Sequence, residues 1–418
     1  MYGPLRKIFR EQKAVTYVKI YREQLYIKTF KIDRMILKDR FMEMKMTYLD
    51  HAATTAVKSE VLEEMLPYFA MHYGNPSALY RTSRKSRNAI ETAREQVANA
   101  IKASKSEIYF CSGGTESDNW AILGASRQYK HKGMHMITSA IEHPAVLSSF
   151  RQLEKEGYEV SYLPVDSKGM VSLELLKESI RPDTILISIM MANNEVGTIE
   201  PLTEIGLIAK ENGILFHTDA ISVAGSLPID VSALNVDLLS LSAHKFYGPK
   251  GIGALYIRKG TALEALHTGG EQEKGRRAGT ENVPAIVGMG KAAELMVKNL
   301  DSHQKRMEQL RDEAIKRILD RFPEASLNGS RMERLPGNVN ILFPGNAAES
   351  MIIKLDERGI SVSSGSACTT GSPNPSHVLK AMGLSHKDAQ CSLRFTFGEE
   401  NTLQDVEDLL KALEEITT

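Results

Sequence analysis

Residues 236–251 read Val236-Asp-Leu-Leu-Ser240-Leu-Ser242-Ala-His244-Lys245-Phe-Tyr-Gly248-Pro-Lys-Gly251. Val236–Leu241 is apolar enough for a buried strand. The chain then delivers Ser242, His244 and Lys245 together and breaks at a glycine-rich turn. Polar residues set just past a buried strand are what a parallel sheet offers to a ligand, because such sheets bind at the carboxyl ends of their strands. The pattern recurs on both sides of this run. Glu107–Cys111, Met134–Ser139, Thr184–Met191, Gly213–Thr218 and Gly253–Ile257 read as further strands. Ile90, Ala93, Val97 and Ile101 fall at helical spacing, and Glu116–Gln128 reads as another helix. Alternation of this kind predicts an α/β domain with a mostly parallel sheet covered on both faces. After about residue 295 the character changes. A polar helix (Asp301–Arg321), a strand-like run (Asn338–Phe343), a Gly/Ser segment (Ser363–Ser372) and an acidic helix (Gln404–Ile416) predict a smaller α+β domain.

The chain has 418 residues, with 52 Lys plus Arg against 52 Asp plus Glu. The balance is an average of unlike parts: residues 1–45 hold 12 basic and 5 acidic residues, a net of +7, which leaves the rest at −7. A mildly acidic body argues against direct nucleic-acid binding, which calls for a basic face. The apolar run Ile185–Ala192 is far too short to span a bilayer, so no membrane segment is expected. The cysteines Cys111, Cys368 and Cys391 are far apart and odd in number, which fits a reducing cytoplasm, and no Cys-x-x-Cys pair offers a metal site. Residues 1–45 form an atypical basic leader that runs into Met42, Met44 and Met46. Either translation starts at one of these, or the leader is a genuine basic arm. Its five acidic residues disfavour an organellar presequence.

Several constellations carry chemistry. Cys111-Ser-Gly-Gly-Thr-Glu116 follows a strand and opens a helix, so its glycines and free N–H groups suit an anion, with Thr115 adding a hydroxyl. Read alone, it is better explained by a tight turn capped by Thr115 and Asp118. His217-Thr-Asp219-Ala places an acid at a strand end, where an ordinary helix cap is the alternative. Lys245 emerges from apolar surroundings that disfavour its charged form, which is what a Schiff-base lysine needs. In that order, a phosphate turn, a strand-end Asp and a lysine beside Ser and His suit pyridoxal 5'-phosphate. The acid would pair with the ring nitrogen and the lysine would hold the aldehyde. Cys368 sits among small residues in Ser363–Ser372, a setting suited to a nucleophile; Cys111 and Cys391 read as structural. His143 can stack on a flat ring and move protons, or simply cap a loop. Arg394 suits a carboxylate bidentately, or a structural salt bridge.

As a set, these residues resemble the cysteine desulfurases, fold type I pyridoxal phosphate enzymes of the class V aminotransferase group. The resemblance runs from about Tyr48 to Ala412. It rests on Tyr48-Leu-Asp50-His-Ala-Ala-Thr-Thr55, Gly74-Asn-Pro-Ser77, Ser112-Gly-Gly-Thr-Glu-Ser-Asp-Asn119, Glu142-His143, Asn193-Asn-Glu-Val-Gly197, His217-Thr-Asp-Ala220, Ser242-Ala-His-Lys245, Arg277-Ala-Gly-Thr-Glu-Asn282 and Ser363-Ser-Gly-Ser-Ala-Cys368.

The resemblance implies a large cofactor-binding domain over residues 60–295. It implies a small domain from residues 46–59 and 296–418 that carries the cysteine loop. Lys245 would hold the cofactor covalently, and His143 would stack on its ring. Asp219 would pair with the ring nitrogen, and Gly114, Thr115, Ser242 and His244 would hold its phosphate. Thr280 would reach the phosphate of a partner subunit, which implies a homodimer. Asn194 and Arg394 would bind the carboxylate of L-cysteine. Cys368 would take the sulfur as a persulfide, release L-alanine, and pass the sulfur to an acceptor such as an iron–sulfur scaffold or a tRNA 2-thiouridine synthase. Two positions depart from the family pattern. Ser222 stands where glutamine is usual, three residues after the Asp, which implies altered cofactor titration or weaker binding. Cys111 stands where threonine is common. A selenocysteine lyase would share the whole set, whereas an aminotransferase of the same fold would need no Cys368.

Overall fold

The structure, a computed structural model, describes residues 46–364 and 375–417. The basic leader 1–45 and the segment 365–374 with Cys368 lie outside the described residues.

The central sheet has seven strands: β1 (Ile108–Cys111), β2 (His135–Ser139), β3 (Glu159–Leu163), β4 (Thr184–Ser188), β5 (Leu215–Asp219), β6 (Leu238–Ser242) and β7 (Gly253–Ile257). Their order across the sheet is β1-β7-β6-β5-β4-β2-β3. Every neighbouring pair is parallel except the two that involve β7, which runs antiparallel to both β1 and β6. The interior strands are buried at every position except Leu215 of β5, as expected of a sheet covered on both faces. Helices that cover it or follow its strands include α1 (Ser83–Ala100), α2 (Gly114–Tyr129), α3 (Pro144–Lys155) and α4 (Leu202–Glu211).

Neither β3 nor the helices α3 and α4 is named from the sequence. Strand β3 carries exposed or half-exposed residues at four of its five positions, because it is an edge strand, so it lacks the apolar run of its neighbours. Helix α3 opens on Pro144, where a missing N–H costs nothing. The predicted strand Thr184–Met191 ends at Ser188. Beyond it Asn193 turns the chain, its side-chain oxygen accepting from the N–H groups of Glu195 (2.9 Å) and Val196 (3.0 Å).

The predicted helix Asp301–Arg321 is the second half of a 39-residue helix, α5 (Val283–Arg321). Asn282 caps it by accepting from the Ala285 N–H at 3.3 Å, and Pro284 occupies its first turn. Its early apolar residues, from Val283 to Ala293, pack in the sheet's core, while Met307, Leu310, Ala314 and Ile318 pack in a second core. Its polar middle hid that continuity. A Cβ on Gly290 would come within 2.5 Å of the Ala93 Cα, so this glycine lets α5 lie close against α1. The second core surrounds an antiparallel sheet, β8 (Ser326–Leu327), β9 (Asn338–Leu342) and β10 (Ser392–Thr396), with α6 (Ala348–Asp356) and α7 (Leu403–Thr417).

One buried ion pair closes the edge of the central sheet. The Arg94 guanidinium meets Glu273 at 2.6 and 2.7 Å. Arg94 also donates to the Ile108 carbonyl (2.8 Å), and Glu273 accepts from the Phe110 N–H (2.9 Å). Edge-strand groups that would otherwise lack partners are thereby satisfied. Glu273 adopts a left-handed backbone (φ 47°), unusual for a residue with a side chain and sustained here by the pair. Glu273→Ala leaves a buried guanidinium without its carboxylate and is expected to cost about 3–5 kcal/mol, read as a lowered midpoint of urea unfolding. An unchanged midpoint would contradict the assignment.

Candidate active site

The carboxyl ends of the parallel strands open into one cavity of about 720 Å³ among the described residues. Its lining includes Gly114, Thr115, His143, Asn194 and Asp219, followed by Ser242, His244, Lys245 and Arg394. Nine of the eleven residues singled out from sequence therefore meet in one place. The other two do not. Thr280 is exposed and is not among the lining residues. Cys368 lies outside the described residues.

The turn after β1 leads into the N-terminus of α2. Helix starts leave N–H groups without intrahelical partners. The expected capping pair of Thr115 and Asp118 is not what closes this turn. Glu116 does so, its carboxylate accepting from the Ser112 N–H (2.8 Å) while Arg277 holds it from outside (2.8 Å). Asp118 is fully buried instead, and burial first, then neighbouring Asp219, pushes its carboxyl well up. Gly253 on β7 lies directly against this turn. A Cβ there would meet the Leu241 carbonyl oxygen at 2.6 Å and the Gly113 carbonyl carbon at 2.7 Å, so only glycine lets the strand pass.

Asp219 ends β5. One oxygen accepts from the Ile221 N–H at 2.8 Å. Burial pushes its carboxyl up to about 6, against the pull of that N–H and of Lys245. A buried acid held in this way favours a cationic partner. His143 caps α3, its Nδ1 accepting from the Ala145 N–H at 3.1 Å, and its ring lines the cavity. Burial, then the charges of Lys245 and His377, push it down to about 4. At neutral pH the ring is therefore uncharged, with its proton on Nε2. His244 is pushed down to about 4 by burial, Lys245 and Lys250, and its Nδ1 lies 3.2 Å from the Thr54 hydroxyl.

Lys245 follows β6 in a short helical turn. Its amine donates to the carbonyl of Ala53 at 2.9 Å and also to that of Ala52. The His51–Thr55 segment is itself held by the Thr55 N–H on the His244 carbonyl (2.9 Å). Arg394, only 1% exposed, pairs with Asp50 at 2.7 Å and donates to the Asn194 carbonyl at 3.1 Å. The structural salt bridge and the place in the cavity wall thus coexist.

The residues that flank the Cys368 segment also sit here. Ser363 pairs its backbone with Arg394, and Ser376 donates to Glu195 at 2.5 Å. His377 reaches the Glu142 carbonyl at 2.9 Å. Sequence reasoning gave no role to His377, Ser376, Glu142 or the carbonyls of Ala52 and Ala53. They are brought to the site by chain segments far apart, and a main-chain acceptor leaves no side-chain signal. Cys111 and Cys391 are buried, as expected of structural cysteines, and burial pushes the Cys111 thiol up. Among the described residues no cluster of three potential ligands could hold a metal ion, and no helix is long and apolar enough to cross a membrane.

The strand order, the single antiparallel strand and the lysine at the carboxyl end of β6 define a fold type I architecture. Residues 47–409 match the family described as aminotransferase class-V. Over 374 residues the chain is 51% identical to the cysteine desulfurase IscS of Clostridium botulinum, covering 89% of this chain and 94% of that protein. It is 53% identical to the cysteine desulfurase IscS of Methanosarcina thermophila, covering 90% and 92%. Among solved structures, a NifS-like protein superposes with a TM-score of 0.84 at 39% identity, covering 89% of this chain and 99% of that one. A second, described as SspA in complex with cysteine, superposes at 0.74 and 40% identity, covering 84% and 98%. The chain belongs to the class V aminotransferases and, within them, to the cysteine desulfurases.

Glu142, beside His143, gives the site a measurable pH signature. Burial pushes its carboxyl up to about 8, against hydrogen bonds from the Ser139 hydroxyl (2.6 Å) and the Met190 N–H (2.9 Å). The folded protein thus holds this proton after the unfolded chain has released it, so stability is lost as pH rises from the ordinary carboxylate range towards 8. Glu142→Gln removes that loss. Its stability relative to the parent is expected to rise between pH 5 and pH 8 in urea titrations. A difference independent of pH would contradict it.

Proposed function

We propose that the cavity binds pyridoxal 5'-phosphate and uses it to take sulfur from L-cysteine, leaving L-alanine and a persulfide on Cys368. The single observation that carries this reading is the convergence at one cavity of the Lys245 amine, the buried acid Asp219 and the guanidinium of Arg394, with Ser376 and His377, which follow the Cys368 segment, in its wall and Ser363, which precedes it, paired to Arg394. The residues present fit the cofactor. The N-terminus of α2 with Thr115, Ser242 and His244 supplies donors for a phosphate at one end. Asp219 supplies the anion for a protonated ring nitrogen, and uncharged His143 supplies a flat wall. When bound, the cofactor supplies an electron sink for the bonds around the substrate's α-carbon.

The chain's own residues do the rest. Arg394 and Asn194 orient the substrate carboxylate, a role for which the planar guanidinium is suited. Lys245 and His143 hold and move protons, His143 at Nε2. Cys368 attacks the substrate sulfur as thiolate. A sulfur–sulfur bond forms, the carbon–sulfur bond breaks, and the carbon takes a proton to give alanine.

In this reading residues 60–295 form the cofactor-binding domain, and residues 46–59 with 296–418 form the domain that brings Arg394 and Cys368. The working unit is a homodimer. Phe69, Tyr73, Leu79 and Tyr80, 62%, 80%, 91% and 55% exposed in the single chain, offer an apolar patch for the partner, and the exposed Thr280 reaches across. The persulfide passes to an acceptor for iron–sulfur cluster assembly or tRNA thiolation, in the cytoplasm.

Cys368→Ala tests the reading. The variant is expected to keep the absorbance band of the bound cofactor while alanine and sulfide release from L-cysteine fall to background. Turnover retained at the parent rate would exclude Cys368. Arg394→Lys, which keeps the charge but loses the planar fork, is expected to raise KM for L-cysteine by tenfold or more with a smaller change in kcat. An unchanged KM would remove Arg394 from substrate binding.

A further inference from the structure

Spacing predicts Asp118 as a helix cap, but the turn before α2 is closed without it. Its side chain instead reaches the sheet, where one oxygen lies 3.7 Å from His217 Nε2 on β5. Strand register lines up the groups it meets there. His217 and Asp219 are two residues apart on β5 and so share one face of the sheet. Ser188 on β4 lies opposite His217, and Ser240 on β6 lies opposite Asp219. Their hydroxyls close on the imidazole from both sides, Ser188 Oγ 2.8 Å from Nδ1 and Ser240 Oγ 3.1 Å from Nε2. Ser240 also faces the Asp118 carboxyl. Asp118, Ser188, His217 and Ser240 are all fully buried.

The charges in this layer follow from what surrounds each acid. A buried carboxylate without a cation is costly, and a second carboxylate beside it raises the cost. The ionisable groups that face Asp118 are Asp219, Glu142, Cys111 and His217. None of them brings a positive charge. Burial pushes His217 down to about 3, so its ring is neutral, and 3.7 Å is too long for a direct hydrogen bond. Asp219 is placed differently. It accepts from the Ile221 N–H at 2.8 Å, and Lys245 favours its ionised form. Of the two neighbouring acids, Asp219 is the one equipped to carry the charge and Asp118 the one left to carry a proton.

That proton sets the direction of every hydrogen bond in the row. A neutral imidazole has one donor nitrogen and one acceptor nitrogen. With the proton on Asp118, its O–H donates to the Ser240 oxygen, the Ser240 hydroxyl donates to His217 Nε2, and the His217 Nδ1–H donates to Ser188. With Asp118 ionised, each of these bonds reverses and His217 carries its proton on Nε2.

We propose that Asp118 is a positioning residue for the acid that pairs with the cofactor ring. As a neutral acid it donates through Ser240 to His217, holds the end of β5 in the Nδ1–H arrangement, and leaves the negative charge on Asp219 at the cavity. Asp118 is not itself among the residues that line the cavity. The inference rests on the reading of Asp219 as the partner of the ring nitrogen.

Two readouts use the full chain without cofactor. Infrared difference spectroscopy of the parent against Asp118→Asn is expected to show the C=O stretch of a protonated carboxyl in the parent alone. Nitrogen NMR of the parent, with the ring assigned through His217→Gln, is expected to show a neutral His217 protonated at Nδ1. The absence of a carboxyl difference would overturn the proposal. So would a ring protonated at Nε2, or at both nitrogens, which marks an Asp118–His217 ion pair. A third readout titrates the absorbance of the enzyme loaded with pyridoxal phosphate. Asparagine copies a neutral acid and keeps a donor for Ser240, so Asp118→Asn is expected to hold the titration midpoint within about 0.3 pH unit and the cofactor Kd within about twofold of the parent. A midpoint moved by about one unit or more, as removal of a nearby carboxylate charge would produce, would overturn the proposal. Asp118→Leu keeps the neutrality but not the donor, and is expected to raise the cofactor Kd about fivefold or more. Parent affinity in this variant, or an equal loss in both, would overturn the positioning role. If no cofactor band forms in the parent while the carboxyl and imidazole signals are as expected, it is the reading of the main cavity that fails instead.

Discussion

The cavity depends on burial around a single amine, that of Lys245, whose charge acts with or against burial at each neighbouring group. It is held against the carbonyl oxygens of Ala52 and Ala53 at the carboxyl end of β6. Its positive charge adds to burial in keeping His143 and His244 uncharged, and it opposes burial at Asp219 by favouring the carboxylate. The result is an anion on the cavity floor, neutral imidazoles at its wall and the lysine cation beside them. Removing the lysine would leave a buried acid with no compensating charge and histidines freer to protonate. The chemistry of the cavity is in this sense the chemistry of one buried charge and its neighbours.

The fold exists to hold that amine where it is. The His51–Thr55 segment that receives it is tied to the turn after β6 by hydrogen bonds that include Thr55 N–H to the His244 carbonyl (2.9 Å) and Tyr247 N–H to the Thr55 hydroxyl (2.8 Å). Arg394 then reaches the same segment through Asp50 from strand β10 of the second core. Helix α5 runs unbroken from the first core to the second, so the cavity is walled by two cores that share one continuous helix.

Much of this was legible in the sequence, for identifiable reasons. Buried parallel strands are apolar along their length, so β4, β6 and β7 stood out, and the polar residues that follow them pointed to the cavity. Nine site residues were found because each lies within a few residues of such a strand end or on a motif of the family. What escaped had no local signal. Edge strand β3 lacks an apolar run. Helix α5 changes polarity midway because it serves two cores, and only its second half, from Asp301, was read as a helix. His377 and Glu142 meet only through the fold. The Thr115–Asp118 cap was plausible by spacing but lost to Glu116, whose longer side chain reaches back to the Ser112 N–H.

The most direct test of the account is where the cofactor attaches. The protein loaded with pyridoxal phosphate would be reduced with borohydride, which fixes the lysine–cofactor linkage, then digested and mapped by mass spectrometry. The account predicts a pyridoxyl group on the peptide that contains Lys245 and on no other lysine. A label on a different lysine, or none at all, would contradict it.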